Sequence, residues 1–403
     1  MSTRSARLSL IFSCLGHGYM HVFTAIYFVI VLAVEKDWGL PYADALKLWF
    51  AGSLMVGLAA LPAGWLADRW SAPGMMVVFF IGLGAAGIAC AFADGPTALW
   101  LGLAAVGLFA AIYHPVGITW LVNNAASRGL ALGINGIFGS LGIAFAALIA
   151  GGLIDLSGWR AAFMVPAVVS LVTGLALWLC LACGWIVQAD RPRLVETPPS
   201  RGDMLRAFLI LVVTMTVMGI VFQSVQTSLP KVFDLRLRSL AGEGTLGIGM
   251  LLLIVYATGA VMQVIGGVLA DRYPLKPIYV GSFVFQALAM FFIAYLGGLP
   301  LMFASLVSVL MSTAPLPAEN ILLARYSPER HRSLAFGIKY VLAFGTGPLT
   351  VWLVAFVQER TGEFVWLFLL LAAAASLAVA ASVFLPGSWR HKSAAIQAPA
   401  AAE

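Results

Sequence analysis

Long apolar runs recur along the whole chain and constrain its fold more than any other feature. Of the 403 residues, 62% are apolar and 10% are charged, which leaves too little polar surface for a water-soluble protein. A helix needs about 20 apolar residues to cross a bilayer. The sequence therefore predicts an all-α membrane protein with twelve transmembrane helices, here called spans 1 to 12. The predicted spans are 8–34, 47–67, 74–93, 98–122, 129–154, 161–187, 206–230, 246–270, 277–297, 301–325, 333–357 and 364–386.

One long polar connection divides these spans into six and six. The segment 188–205 reads QADRPRLVETPPSRGDML and is rich in proline and charge. We therefore predict an N-terminal six-helix bundle at 1–187, a cytoplasmic linker at 188–205, and a C-terminal six-helix bundle with a short tail at 206–403.

Two sequence repeats relate the halves to each other. GWLADR at Gly64–Arg69 returns as GVLADR at Gly267–Arg272, and RGLALGI at Arg128–Ile134 returns as RSLAFGI at Arg332–Ile338. The two offsets differ by a single residue, which indicates an ancient duplication. Paired bundles of this kind are typical of transporters, because they can rock about a site between them.

The distribution of basic residues predicts the orientation. With the N-terminus in the cytoplasm, the inner side holds 15 Lys and Arg residues and the outer side holds 7. Cytoplasmic loops carry such an excess, so both termini are expected in the cytoplasm and the protein in the inner (plasma) membrane of a bacterium. The net charge of +6 belongs to this asymmetry, since no basic run suited to nucleic acid is present.

The two repeated loops, Gly64–Arg69 after span 2 and Gly267–Arg272 after span 8, resemble the signature loop of the major facilitator superfamily. The resemblance covers essentially the whole chain. It implies the fold of that superfamily, with two pseudo-symmetric six-helix bundles and a central cavity lined by spans 1, 4, 7 and 10.

The resemblance also implies a cytoplasmic latch between the halves. Asp68 would engage the start of span 11 near Arg332. Asp271 would engage the start of span 5 near Arg128. The alternative is that these are ordinary charged loops that follow the basic-inside bias. The expected latch residues are Asp68, Arg69, Arg128, Asp271, Arg272 and Arg332.

A narrower resemblance suggests export. LGHGYMH in span 1 and Tyr113-His114-Pro115 in span 4 are similar in part to the fosmidomycin-resistance group of exporters. That group carries an acidic residue where this chain has His21 and another where it has Val116. Span 5 has Gly151-Gly152 without the Gly-Pro pair that usually precedes it in proton-exchanging exporters, which keeps uptake open as an alternative.

Histidines inside the spans are the first candidates for a site. His17 and His21 are four residues apart and so share a helix face. They could bind substrate, relay protons, or tie span 1 to its neighbours by hydrogen bonds. His114 precedes Pro115 in span 4, so it could take part in proton coupling or satisfy the carbonyl that the proline leaves free.

The other candidates are one carboxylate, one amine and two amides. Glu319 in span 10 is the carboxylate expected inside the membrane; it could couple transport to protons, pair with Lys339 of span 11, or lie in a solvated vestibule. Gln223 and Gln226 in span 7 are candidates for hydrogen bonds to substrate. Lys231–Glu243 has alternating charges and is expected to be a solvated outer loop.

These features together predict a secondary active transporter that moves a small organic molecule by alternating access, in proton-coupled efflux. Proton-coupled uptake is the alternative; a receptor or scaffold is a further one, disfavoured because the longest loop has 18 residues. No ATP-binding loop, HExxH, GxSxG or Cys/His motif is present, so we expect no enzyme, cofactor or metal. The expected partners are the substrate, protons and lipid, with the protein as a monomer.

Overall fold

The computed structural model of the protein describes residues 3–125, 128–187, 200–327 and 332–387. Throughout these ranges the regular structure is helical, without a strand. Twelve helical segments are long and apolar enough to cross a membrane, the first at Arg4–Trp38 and the last at Val365–Val383. The prediction of an all-α protein with twelve transmembrane helices is confirmed.

The first six spans contain ten α-helices and one π-helical turn. They are α1 Thr3–Ala25, α2 Tyr27–Trp38, α3 Tyr42–Lys47, α4 Phe50–Leu58, α5 Ala60–Arg69, α6 Ala72–Ala91, α7 Pro96–Ala110, the π turn Tyr113–Gly117, α8 Ile118–Asn124, α9 Arg128–Ser157 and α10 Trp159–Ala182.

The described part of the second half contains nine helices. They are α11 Arg201–Arg236, α12 Arg238–Ala241, α13 Leu246–Arg272, α14 Leu275–Tyr295, α15 Gly298–Thr313, α16 Leu316–Tyr326, α17 Arg332–Gly345, α18 Gly347–Thr361 and α19 Val365–Val383.

Five spans contain a local irregularity of the helix: spans 1, 2, 4, 10 and 11. Proline explains two of the breaks, because it cannot donate a backbone hydrogen bond. Pro115 lies in the π turn of span 4, and Pro315 lies between α15 and α16. In span 11 the break at Thr346 lies between two glycines, Gly345 and Gly347.

The surface between the two ends of the bundle is apolar, as contact with lipid requires. In α10 the exposed residues recur at helical spacing, with Val165, Val168, Val172, Leu175 and Leu179 all well exposed. Such a stripe lies on one side of a helix. In a membrane it faces hydrocarbon, where exposure of these side chains costs nothing.

Small residues let helices of the same half approach closely. Gly107 of span 4 lies directly against the backbone of Gly52 in span 2, so a Cβ atom at position 107 would meet the Gly52 carbonyl. A Cβ atom at Gly102 would lie 2.7 Å from Cys90 Sγ in span 3. Glycine is therefore required for packing here rather than for backbone flexibility.

The two ends of the bundle differ in how the halves meet. We call the end that holds the start of α1 and the end of α19 the terminal face, and the other end the ion-pair face. Lys231 Nζ lies 2.7 Å from Glu35 Oε2, and Lys47 Nζ lies 3.1 Å from Glu359 Oε2. Among the described residues, these two ion pairs join the halves, and both lie on the ion-pair face.

Asp155, at the end of span 5, adds a third connection on the ion-pair face. Its carboxylate accepts hydrogen bonds from the backbone N–H groups of Thr245 (2.9 Å) and Leu246 (2.8 Å) and from the Thr245 hydroxyl (2.7 Å). It therefore caps the first turn of α13 in the other half, where an anion is favoured by the helix dipole. The halves are closed together on this face.

The expectation of a solvated loop is wrong for the first part of the segment, Lys231–Leu237, whereas Ser239–Glu243 is largely exposed. Helix α11 continues to Arg236, and α12 follows at once. Lys231 is only 8% exposed. Its charge is balanced by Glu35 and by Asp234, whose carboxylate lies 3.6 Å away and also pairs with Arg238.

Replacing Gly107 with alanine should destabilise the protein, whereas replacing Gly133 should not. An added methyl group at 107 must push α7 away from α4, at a cost of about 1–3 kcal/mol. A Cβ atom at Gly133 meets nothing within 4 Å, so Gly133→Ala should be neutral or stabilising by up to about 1 kcal/mol. Both glycines lie in helices, so the difference in stability between the two variants measures the effect of packing alone. Equal melting temperatures of the two purified variants in detergent would contradict this view.

Candidate functional site

A small cavity lies between the two halves. About 30 Å³ of it is open to the centre of a water molecule, which is room for one or two waters. Spans 1, 2, 7 and 11 form its walls. The lining residues are Met20, His21, Thr24, Phe28, Trp49, Ser53, Val56, Phe222, Gln223, Gln226, Thr227, Phe344, Gly347, Thr350 and Val351.

The walls differ from the expectation, in which spans 4 and 10 lined the cavity together with spans 1 and 7. Spans 2 and 11 take their place because small residues bring them together. A Cβ atom at Gly57 would lie 3.0 Å from the Gly345 Cα atom, and one at Gly347 would lie 3.1 Å from the Ser53 Cβ atom. His114 and Glu319 do not line this cavity, and their part in proton coupling stays a prediction.

Several polar side chains of the cavity wall are available to a solute. The hydroxyls of Thr24 and Thr350 donate to carbonyls of their own helices, at 2.9 and 2.7 Å. By contrast, within the described ranges no hydrogen bond is made by the side chains of His21, Gln223 and Gln226. Unpaired amides and imidazoles in a confined space offer both donors and acceptors.

His17, predicted to share a face with His21, lies beside the cavity rather than in its wall. The two imidazole centroids are 5.0 Å apart, and His114 completes a triangle, with its centroid 5.4 Å from that of His17 and 5.7 Å from that of His21. The structure thus brings together three histidines that the sequence separates by almost 100 positions.

Asn135 of span 5 holds His17 in place, and sequence reasoning missed it. The His17 Nδ1 atom donates to the Asn135 carbonyl oxygen at 2.7 Å. The Asn135 amide donates to the Tyr113 hydroxyl at 2.7 Å and to the Ser13 carbonyl at 3.1 Å. An asparagine within the apolar stretch 129–154 was the available signal, since polar residues inside a span need partners.

The row of glycines in span 5 makes room for these histidines. A Cβ atom at Gly139 would lie 2.6 Å from His17 Nε2, and one at Gly142 would lie 3.0 Å from His21 Cβ. Span 5 can therefore pack directly against the histidine face of span 1.

His114 does not have the structural role that its neighbour Pro115 suggested. It lies within the π turn Tyr113–Gly117 and is 8% exposed, and neither ring nitrogen has a hydrogen-bond partner among the described residues. The ring stacks instead on Tyr340 (centroids 4.9 Å apart) and Phe344 (4.6 Å) of span 11. The interpretation that His114 satisfies a freed carbonyl is wrong.

A second buried polar cluster lies wholly within the second half. Lys339 Nζ lies 2.7 Å from Glu319 Oε1 and donates to Asn320 Oδ1 at 2.6 Å. The Tyr279 hydroxyl donates to Glu319 Oε2 at 2.9 Å and is itself 2.8 Å from the Thr214 hydroxyl. Both charged groups are below 10% exposed, so each depends on the other for compensation.

The latch remains a prediction. Asp68 and Asp271 are exposed at the ends of α5 and α13, on the terminal face, as is Arg272. Arg69 lies over the Trp65 ring at 4.0 Å. The side chains of the proposed partners, Arg128 and Arg332, lie outside the described part of the chain.

Comparison with known proteins agrees with this architecture. The family model described as Major Facilitator Superfamily matches residues 12–255 and 240–401. Two crystal structures of a bacterial homologue of the human lysosomal transporter Spinster, both inward-facing, resemble the chain with TM-scores of 0.67 (unoccupied) and 0.69 (occupied). Each match is 16% identical and covers 96% of this chain and 95% of the other. At this identity the likeness concerns the fold alone.

Removing Lys339 should destabilise the protein more than removing an exposed lysine. Lys339→Met leaves the Glu319 carboxylate buried without its cation, which costs about 3–5 kcal/mol. Lys47 pairs with Asp44 and Glu359 but is 40% exposed in its side chain, so Lys47→Met should cost about 1 kcal/mol or less. Thermal unfolding in detergent measures both variants.

A double variant distinguishes a lost pair from lost packing. Glu319→Gln/Lys339→Met removes both charges, so it should recover a large part of the stability lost in Lys339→Met. A double variant that is no more stable than the single one would show that the lysine stem, and not the charge, is what matters.

Proposed function

Because the chain belongs to the major facilitator superfamily, we propose that it is a secondary active transporter that moves a small organic molecule across the bacterial inner membrane. The observation that carries this proposal is the cavity between the two halves, where His21, Gln223 and Gln226 have no hydrogen-bond partner within the described residues. These groups suit an amphipathic or weakly anionic compound. We also propose that the protein acts as a monomer.

The size of the cavity supports alternating access. Sites for organic ligands occupy about 300–1,000 Å³, whereas this cavity has about 30 Å³ open to the centre of a water molecule. A substrate can therefore bind only after the halves move apart. With both termini in the cytoplasm, the closed ion-pair face is the outer one, and the halves would part on the terminal face.

The ion-pair face then acts as the outer gate. Glu35–Lys231, Lys47–Glu359 and the Asp155 cap on α13 all join one half to the other. Opening to the outside would break all three, and the exposed latch loops of Asp68 and Asp271 would then close the cytoplasmic side. A set of weak bonds on each side keeps the two states close in free energy.

We further propose that Glu319 couples transport to protons. Protonation would remove the charge that balances Lys339, and the Glu319–Lys339 ion pair between α16 and α17 would break. Helix α17 also carries Tyr340 and Phe344, which stack on His114 of the other half. A proton at Glu319 can therefore change how the two halves meet, with His114 as a second candidate for coupling.

Export is the direction we favour. The support is the likeness of LGHGYMH and Tyr113-His114-Pro115 to the fosmidomycin-resistance exporters. Uptake by proton symport is the second candidate, because Gly151-Gly152 lacks the Gly-Pro pair of proton-exchanging exporters.

Glu319→Gln should abolish transport driven by a pH gradient and leave substrate exchange intact. Glutamine keeps an oxygen for Lys339 but cannot release a proton near neutral pH. The substrate is first found as a compound that raises the melting temperature of the purified protein. Its flux is then measured in proteoliposomes after a pH jump and, without a gradient, by exchange of labelled for unlabelled compound.

The matched control for coupling is Glu363→Gln, because Glu363 is exposed and pairs with Arg236 within the same half. It should behave like wild type in both assays. Gradient-driven transport that survives in Glu319→Gln would show that Glu319 is only a structural partner of Lys339.

Asp155→Ala should favour opening on the ion-pair face. Loss of a helix cap costs about 0.5–2 kcal/mol, which corresponds to about a 2- to 30-fold shift between the closed and open states. The readout is labelling of a cysteine introduced as Gln226→Cys, with the native cysteines replaced, by a membrane-impermeant maleimide added to the outer side. Asp94→Ala, at an exposed carboxylate on the same face, is the control. Equal labelling in both variants would exclude Asp155 as a gate residue.

A further inference from the structure

The ring nitrogens of His17, His21 and His114 converge, which substrate binding alone does not require. One ring nitrogen of each histidine can be chosen so that the three atoms all lie within 4.8 Å of one another. The first two come from one face of α1, and the third comes from the π turn of span 4. Three imidazoles converge on one point beside the cavity.

Five of the six ring nitrogens in this cluster lack a hydrogen-bond partner among the described residues. Both nitrogens of His114 are buried without a hydrogen bond. In the described ranges neither nitrogen of His21 makes one either, and His17 makes one through Nδ1 alone. A buried imidazole normally pairs its polar atoms, and one that does not calls for an explanation such as a missing ion or water. His114 is such a ring, and its contacts with His17 and His21 make a shared ligand the simplest explanation.

The one hydrogen bond in the cluster fixes His17 in the form that binds metals. The Asn135 carbonyl oxygen can only accept, so His17 Nδ1 carries the hydrogen and Nε2 keeps its lone pair. Metal-binding histidines almost always donate their other ring N–H to a carbonyl or carboxylate in this way. Asn135 is held in turn by Tyr113 and Ser13.

We propose that His17, His21 and His114 bind a divalent transition-metal ion of the zinc class and leave one coordination position open. Zinc bonds imidazole nitrogen at about 2.0–2.1 Å. Three nitrogens at most 4.8 Å apart lie about 2.8 Å or less from their common centre, so each needs to move by about 1 Å or less to reach that bond length. Rotation of the side chains supplies this movement.

The charge and chemistry of the surroundings fit this class of ion. Neutral imidazoles suit Zn²⁺, Cu²⁺ and Ni²⁺, whereas Mg²⁺ and Ca²⁺ prefer oxygen ligands. Lys339 directly precedes Tyr340, whose ring stacks on His114. The Lys339 ammonium group, however, is paired with the Glu319 carboxylate at 2.7 Å. The Lys339 charge is thus compensated within the second half.

The position of the ligands in the fold gives the site a defined role. All three belong to spans 1 and 4 of the first half, so a rocking motion of rigid halves leaves their mutual distances unchanged. The ion would stay bound in every state of the cycle and would join span 1 to span 4. With His21 and His114 bound to the ion, Gln223 and Gln226 remain for the substrate and Glu319 remains for proton coupling.

Metal titration of the purified full-length protein tests the site. A protein without a polyhistidine tag is titrated with Zn²⁺ against a chromogenic chelator and with Co²⁺ by visible absorption. We expect one ion per chain and a raised melting temperature with Zn²⁺. His17→Ala, His21→Ala and His114→Ala should each weaken binding by at least about tenfold.

Two other histidines and the cysteines supply matched controls. His331→Ala, His391→Ala and a variant with all four cysteines changed to serine should bind like wild type. Absence of stoichiometric binding in wild type, or binding that survives in the three cluster variants, would overturn the proposal. If those variants fail to fold, X-ray absorption of the zinc-loaded wild type decides instead: three imidazole ligands support the site, and fewer refute it.

Discussion

Backbone hydrogen bonding inside hydrocarbon is the constraint on which the rest of this structure depends. No water is present there, so each N–H and C=O group must find its partner within the protein, and irregular backbone survives only where it is buried in protein or lines a cavity. The helix is locally irregular in spans 1, 2, 4, 10 and 11. These spans carry most of the cavity wall, the three histidines and the Glu319–Lys339 pair, whereas the regular spans mostly supply packing and contact with lipid.

The same constraint explains why the fold could be predicted from the sequence. Apolar runs of sufficient length can form only helices in a membrane, and the repeats at Gly64–Arg69 and Gly267–Arg272 relate the two halves. Part of the candidate site could also be predicted, because polar side chains inside hydrocarbon are costly and are kept mainly where they have a function. His21, Gln223 and Gln226 were singled out for that reason, and the structure places all three in the cavity wall.

What could not be predicted depends on contacts between distant parts of the chain. Alternating charges after Pro230 resemble a solvated loop, because nothing local shows that Lys231 pairs with Glu35, 196 positions earlier. The convergence of His114 on His17 depends on a π turn, which has no sequence signature beyond a proline. The role of Asn135 depends on a backbone carbonyl, and every residue has one.

The π turn at Tyr113–Gly117 also affects the geometry of everything that follows it in span 4. Such a turn holds one more residue than an α-helical turn, and each residue of an α-helix advances the chain by about 100°. Helices α7 and α8 are therefore out of angular phase, so the face that packs against the core in one is not continuous with that in the other. Trp120 and Asn124 lie on the buried face of α8 that follows the turn. The additional residue in the turn thus rotates the terminal-face half of span 4 about its axis. This rotation determines which side chains of that half can contact span 1.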